Sequence, residues 1–142
     1  MTLTDAEIAY LTTQPLGRLA TCRVDGSLQV SPVGFRYDDQ TGTIEITGRA
    51  LGQTRKFANV EDNGQVALVV DDLVSRSPWV VRGVEVRGTA AALRDQVTES
   101  AYTSDEIIRI HPGRVISWGL DPDDPSTRGR DVRESAATGI AP

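Results

Sequence analysis

Residues 44–70 read IEITGRALGQTRKFANVEDNGQVALVV, and this stretch decides how the rest of the chain is understood. A short apolar strand runs into a turn at Gly48, a short helix follows over about 52–61, and Asn63-Gly64 closes it as a left-handed cap would. Residues 66–70 are an unbroken apolar run, the pattern of a strand buried on both faces. Gly48, Arg49, Arg55 and Lys56 gather at or near the helix start. The first N–H groups of a helix have no partner inside it, and its dipole is positive there. Fixed cations beside that end make it a place to hold a phosphate. In a chain with little other catalytic equipment, the pattern points to a phosphorylated cofactor as the source of the chemistry.

Composition sets the limits. The chain has 142 residues, 39% apolar and 25% charged, which fits one globular domain with a true core. A net charge of −5 argues against nucleic-acid binding, whose affinity comes largely from neutralising phosphates. No apolar run approaches the roughly 20 residues that span a bilayer. The first residues, MTLTDAEIAY, carry acids where a secretory signal carries bases, so the expected location is cytoplasmic. Cys22 is the only cysteine and His111 the only histidine, too few for an internal disulfide or a protein-ligated metal, so no metal is expected. Cys22 reads as a small core residue, and His111 as a helix-end residue before Pro112.

Outward from the deciding stretch, Thr4 and Glu7 form a capping box for a helix running to about Gln14, with Leu3 and Ile8 at staple spacing. LGRLATCRV is a strand that turns at Asp25-Gly26, residues 27–37 are the return strand, and DDQTG turns the chain into residues 43–47. Residues 71–78 read as a loop and 79–93 as the longest strand, with Gly83 and Gly88 as bends or bulges. Thr103 and Glu106 suggest a second capping box, for a short helix ending near His111, before a last strand at 114–118. The expected fold is therefore mainly β: a six-stranded antiparallel barrel with short helices over residues 1–120, followed by a loop or disordered tail over 121–142. Strands and helices do not alternate regularly, which excludes a doubly wound parallel sheet.

The succession LGRLAT, DGSLQVSPVGF, ITGRALGQTRKFANV, VALVVDD, PWVVRGVEVRGTAAAL and IIRIHPGRVISWGL resembles the pyridoxamine-phosphate-oxidase-like split-barrel superfamily, and within it the branch dependent on the deazaflavin coenzyme F420. The resemblance covers about residues 3–120. It implies a split barrel of the FMN-binding type, a homodimer with cofactor sites at the interface, and hydride transfer on F420 or FMN. The family's phosphate pattern falls on Thr54, Lys56 and Asn59, with Arg55 beside them; Thr47, Gly48 and Arg49 resemble the strand end along the ribityl chain and phosphate. Ser31, Pro32 and Val33 match the strand beside the ring system, while Trp79 and Arg82 match a segment that reaches the partner's site. Trp118 lies in the family's last strand motif. The Arg- and His-rich C-terminal segment of pyridoxamine phosphate oxidases proper is replaced by GLDPDDPSTRGRDVRESAATGIAP, so pyridoxamine phosphate is not the expected substrate.

Each of these residues also has a plain structural reading. Lys56 and Arg55 fit a solvated helix face, Thr54 a cap, Pro32 a strand edge, and Trp79 a core or dimer anchor. The expected function is an F420-dependent oxidoreductase acting on an unsaturated small molecule. The alternatives are an FMN-dependent oxidase or flavin reductase, or a non-catalytic flavin-, deazaflavin- or haem-binding protein. The absence of an acid–base constellation suits hydride transfer, where the cofactor reacts and the protein positions.

Overall fold

The computed structural model describes residues 2–98 and 100–132, which form two α-helices, one 3-10 turn and eight strands. Helix α1 (Asp5–Thr12) starts with the expected capping box. Thr4 N–H donates to the Glu7 carboxylate at 2.9 Å, and Glu7 N–H donates to the Thr4 hydroxyl at 3.1 Å. The helix ends two residues short of Gln14, and the Thr13 and Gln14 amides donate to the Tyr10 and Leu11 carbonyls in a tightened last turn.

Seven antiparallel strands follow one path. They are β1 (Gly17–Cys22), β2 (Leu28–Val33), β3 (Arg36–Asp38), β4 (Thr43–Ile46), β5 (Gln65–Arg76), β6 (Trp79–Leu93) and β7 (Ile107–Trp118), in the order β2-β1-β5-β6-β7-β4-β3. The two ends of that order are consecutive in the chain, separated only by Gly34 and Phe35. The sheet therefore curls until its ends are halves of one bent segment, which is the expected six-stranded barrel with residues 27–37 broken in two. An eighth strand, β8 (Thr127–Asp131), pairs with β7 off this path.

Inward-facing Leu19, Ile44, Ile46, Leu68, Val84, Val86, Ile108, Ile110 and Val115 fill the barrel. Leu3, Tyr10 and Leu11 from the α1 region and Phe57 and Val60 from helix α2 (Arg55–Asn63) join the same core. In β5, Val66, Leu68 and Val70 are buried whereas Ala67 and Val69 are half-buried, so one face of this strand is covered rather than both. The predicted irregularity at Gly88 is a bulge between Arg87 and Gly88. A Cβ at Gly88 would stand 2.2 Å from the His111 carbonyl oxygen, so the close approach of β6 to β7 needs glycine there. Gly64, at φ +70, caps α2 as its position predicts.

Three local expectations are corrected. Residues 71–76 continue β5 instead of forming a loop, and their polarity has a structural use: Asp71 pairs with Arg18 at 3.6 Å and Asp72 with Arg82 at 2.8 Å. Residues 107–111 begin β7 instead of completing a helix. Ile107, Ile108 and Ile110 are buried, and β-branched residues pack better on a pleated surface. Within the tail, TRGRD forms β8 although it has no apolar residue, because ladder bonds to β7 and an ion pair from Arg130 to Glu7 hold it. Residues 133–142 lie outside the described residues. No helix among the described residues is long and apolar enough to cross a membrane.

Candidate functional site

The segment joining β4 to α2 is built in two steps. Thr47 and Gly48 leave the strand half-buried, Arg49 is exposed, and Ala50 takes a left-handed conformation at φ +50 before the 3-10 turn Leu51–Gln53. The turn's own donors are filled by the chain: Leu51 N–H donates to the Ser104 hydroxyl at 2.9 Å, and Gly52 N–H to the Glu106 carboxylate at 2.8 Å. Ser104 also donates from its amide and its hydroxyl to the Gly48 carbonyl, at 2.9 and 3.0 Å. Thr54 then caps α2, accepting the Phe57 N–H at 3.3 Å and donating its hydroxyl proton to the Leu51 carbonyl at 2.6 Å.

What remains open is the first turn of α2. The amides of Arg55 and Lys56 have no partner among the described residues, and no acidic residue occupies that turn. Most arginines of the described chain are held by carboxylates; the cations without one are Arg23, Arg49, Arg55, Lys56 and Arg76. Three of those five lie within residues 49–56. Unneutralised positive charge beside unfilled helix-start donors is an anion site in waiting.

The other predicted residues separate into groups. In β2, Val33 belongs to the core, Pro32 is exposed, and the Ser31 hydroxyl is buried with no hydrogen-bond partner. β2 pairs on one side only, with β1, and its exposed Leu28 and Val30 flank the segment. Asn59 is 3% exposed and points beneath the helix, donating to Thr21 at 3.0 Å and Gln29 at 3.3 Å. It ties α2 to β1 and β2 and presents no amide to the open helix start. Trp79 stands at the tip of the β5–β6 hairpin, 69% exposed. Arg82 is engaged internally: its guanidinium meets Asp72 at 2.8 and 3.2 Å and lies 5.1 Å over the Tyr10 ring. Tyr10 donates to the same Asp72 at 2.7 Å. Burial and the Asp72 carboxylate push the Tyr10 hydroxyl well above its ordinary range, so it is a closed structural contact rather than a ready acid. Within one chain β7 lies between β6 and β4, so Trp79 and Arg82 are not brought to the β4–α2 junction.

Sequence reasoning missed the residues that shape this region from the β6–β7 connection. Thr103 and Glu106 read as a helix cap, but it is Ser104 and Glu106 that act here, clasping the 48–52 segment. It also missed Glu45, which is 8% exposed between Arg36 at 2.7 Å and Arg109 at 2.9 Å. The alternation of T-I-E-I-T is the signal that sets Glu45 on the same face as Thr43 and Thr47. A cavity of about 380 Å³ opens there, lined by Gly34, Phe35, Arg36, Glu45, Thr47 and Val97 among others. It lies where the segment after Ser31–Val33 meets the strand end at Thr47.

The fold agrees with what comparison shows. The family described as pyridoxamine 5'-phosphate oxidase matches residues 3–138. The chain belongs to that family. The match extends beyond Leu120, so the segment forming β8 is part of the family's domain rather than outside it. Among curated relatives, the chain is 49% identical over 124 residues to the 5a,11a-dehydrotetracycline/5a,11a-dehydrooxytetracycline reductase of Streptomyces rimosus, covering 87% of each chain. A reductase at this identity supports oxidoreductase chemistry for this member of the family. Among solved structures, a conserved hypothetical protein of Mycobacterium tuberculosis superposes with TM-score 0.65 at 20% identity, covering 83% of this chain and 86% of that one. The FAD binding protein of Mycobacterium smegmatis gives 0.59 at 22% identity, covering 91% and 97%. These likenesses show the split-barrel fold.

Proposed function

We propose that this chain is a deazaflavin-dependent reductase that transfers a hydride from reduced coenzyme F420 to a carbon–carbon double bond of a conjugated, polycyclic small molecule. The observation that carries the reading is the 49% identity, over 87% of the chain, to a reductase whose name places the reduced bond in a tetracycline skeleton. The open first turn of α2 supports it: Arg55, Lys56 and Arg49 supply charge, and the Arg55 and Lys56 amides supply donors, for an anionic cofactor tail.

When bound, the deazaflavin supplies the hydride. The chain's own part is position. Lys56 and its neighbours would hold the phosphate, Ser31, Pro32 and Val33 would lie beside the ring, and Thr47 and Gly48 would line the path between them. No side chain at the junction is set up as a proton donor, so the proton that completes the reduction comes from solvent. The exposed apolar residues Leu28, Val30, Val74 and Trp79 support a homodimer in which Trp79 reaches the partner's site. The cytoplasm is the proposed place of work.

The family's name favours one second reading, an FMN-dependent oxidase or flavin reductase using the same junction for a terminal phosphate. Fluorescence quenching on cofactor-stripped protein separates the two. The deazaflavin reading expects micromolar or tighter binding of F420 and much weaker binding of FMN; preferential FMN binding with peroxide release would replace it with the oxidase.

A further inference from the structure

The carboxylate of Glu106 stands where an anion would otherwise be received. It accepts the Gly52 N–H at 2.8 Å, and the Ser104 hydroxyl beside it accepts the Leu51 N–H at 2.9 Å, so the chain itself fills the donors of the 3-10 turn. The fit is close: a Cβ on Gly52 would stand 3.0 Å from Glu106 Cγ and Cδ and from Arg94 Nη1. Arg94 spends its ion pair on Glu61, at 3.3 Å, and Glu106 has no ion pair among the described residues. The Ser104 hydroxyl and the Gly52 N–H hold its carboxyl below the usual range, so it is fully charged at neutral pH. Three residues further on, α2 opens with Arg55 and Lys56. Thr54 between them is extended, and three residues of chain set an upper limit of about 11 Å between the Gly52 amide and the first open amide. An anion seated there is close enough to feel the resident carboxylate, the Debye length being roughly 8 Å at physiological salt.

We infer that Glu106 is a specificity-determining residue of the cofactor site, disfavouring a doubly charged terminal phosphate relative to a singly charged phosphodiester. The inference rests on the reading of the α2 start as the phosphate site. FMN ends in a monoester carrying about −1.5 to −2 at pH 7, by analogy with other phosphomonoesters. The deazaflavin coenzyme carries a diester with a single charge at the same place, and its carboxylates lie further along the tail. One extra charge at roughly 8 Å from a carboxylate lowers affinity by about 2-fold to 30-fold as the effective dielectric falls from water's value to that near a protein surface.

Glu106→Gln tests this, because the amide oxygen still accepts the Gly52 N–H while the charge is gone. Dissociation constants of FMN, F420 and phosphate-free riboflavin are measured on stripped protein. The expected result is FMN binding at least about threefold tighter, a smaller change for F420, and no change for riboflavin. Equal changes for FMN and F420, or none, would overturn the inference. Glu106→Ala, which also loses the Gly52 contact, must move the FMN-to-F420 ratio in the same direction on whatever fraction is folded. Lys56→Ala separates the two levels of the argument. If it weakens both phosphorylated cofactors while Glu106→Gln leaves their ratio alone, Glu106 alone is misassigned. If Lys56→Ala changes neither, the phosphate is not at this junction and both ideas fall.

Discussion

Arg130 grips Glu7 across 123 residues of sequence: its two terminal nitrogens donate to the two carboxylate oxygens at 2.8 and 2.6 Å, and Glu7 is 1% exposed. The same arginine donates to the Thr2 carbonyl at 3.2 Å, so β8 is clasped onto the start of the chain by one side chain. Arg130→Ala would leave a buried carboxylate without its charge partner, the Thr4 N–H still donating to it. Because Arg130 is partly exposed, water softens the loss, and the expected cost is about 2–3 kcal/mol in urea unfolding. A loss below about 0.5 kcal/mol would mean that the pair carries no weight.

The same pair sets an acid limit on stability. Burial alone would raise the Glu7 carboxyl, but the Arg130 guanidinium and the Thr4 N–H outweigh it and hold the group below its ordinary range. With the folded value depressed, the unfolded chain binds the proton more readily, so this stabilisation is present above the unfolded pKa of about 4.3 and is lost as pH falls through the folded value. Wild-type stability should drop on acidification below about pH 4.3, and Glu7→Gln should be less stable at pH 7 with a flatter slope in that range. An identical slope in the variant would assign the acid sensitivity to other carboxylates.

Asn59 and Lys56 belong to one helix and make opposite demands. Asn59→Ala removes a buried donor from Thr21 and Gln29, with an expected loss of about 1–3 kcal/mol of stability. Lys56→Ala should stay within about 0.5 kcal/mol of wild type in stability. Its effect should appear in cofactor affinity, weakened more than about tenfold, or about 1.4 kcal/mol. Chemical unfolding and cofactor titration of the two variants give a crossed result if the account holds. Equal losses of affinity in fully folded Asn59→Ala and Lys56→Ala would place Asn59 in the site.

Ser31 gives a cleaner stability test. A buried hydroxyl without a partner contributes a desolvation penalty and no compensating bond. Ser31→Ala should be as stable as wild type or up to about 1 kcal/mol more stable. Destabilisation above about 1 kcal/mol would show that the hydroxyl has a partner, for which the second subunit is the first place to look.

Trp79 tests the assembly. It is 69% exposed beside Val74, Val80 and Val81 on the same hairpin, an apolar surface that a lone chain would leave wet. Sedimentation should give twice the 15.3 kDa chain mass for the wild type and a shift towards monomer for Trp79→Glu. A wild-type monomer at every concentration would contradict the interface reading.

How much could be read in advance follows from where the information sits. Barrel strands carry it in their own apolar alternation, as with Leu19, Ile44, Ile46, Val84 and Val86, and the helix caps at Thr4, Thr54 and Gly64 carry it in local chemistry. The basic start of α2 was legible for the same reason. β8 was not, because Thr127–Asp131 carries no apolar alternation of its own; it is held by a ladder to the preceding strand β7 and by Arg130 reaching Glu7 at the far end of the chain. Thr103 and Glu106 spelled a capping box, yet the Ile107, Ile108 and Ile110 run after them pairs with β4 and β6, and Ser104 and Glu106 serve the 48–52 segment instead. Arg82 and Asn59 fitted a family pattern, while their contacts with Asp72, Thr21 and Gln29 depend on strands that only the folded chain brings together.

The central claim is hydride transfer from a reduced deazaflavin to an unsaturated acceptor, and an anaerobic single-turnover experiment addresses it directly. Protein loaded with reduced coenzyme F420 is mixed with one equivalent of a dehydrotetracycline-type acceptor, while coenzyme absorbance and the saturated product are followed together. The account predicts reoxidation of the coenzyme in step with formation of one equivalent of reduced acceptor, and loss of both signals in Lys56→Ala at sub-saturating coenzyme. Coenzyme that binds and stays reduced beside an unchanged acceptor, across a panel of conjugated ketones and quinones, would contradict it and leave a binding protein in its place.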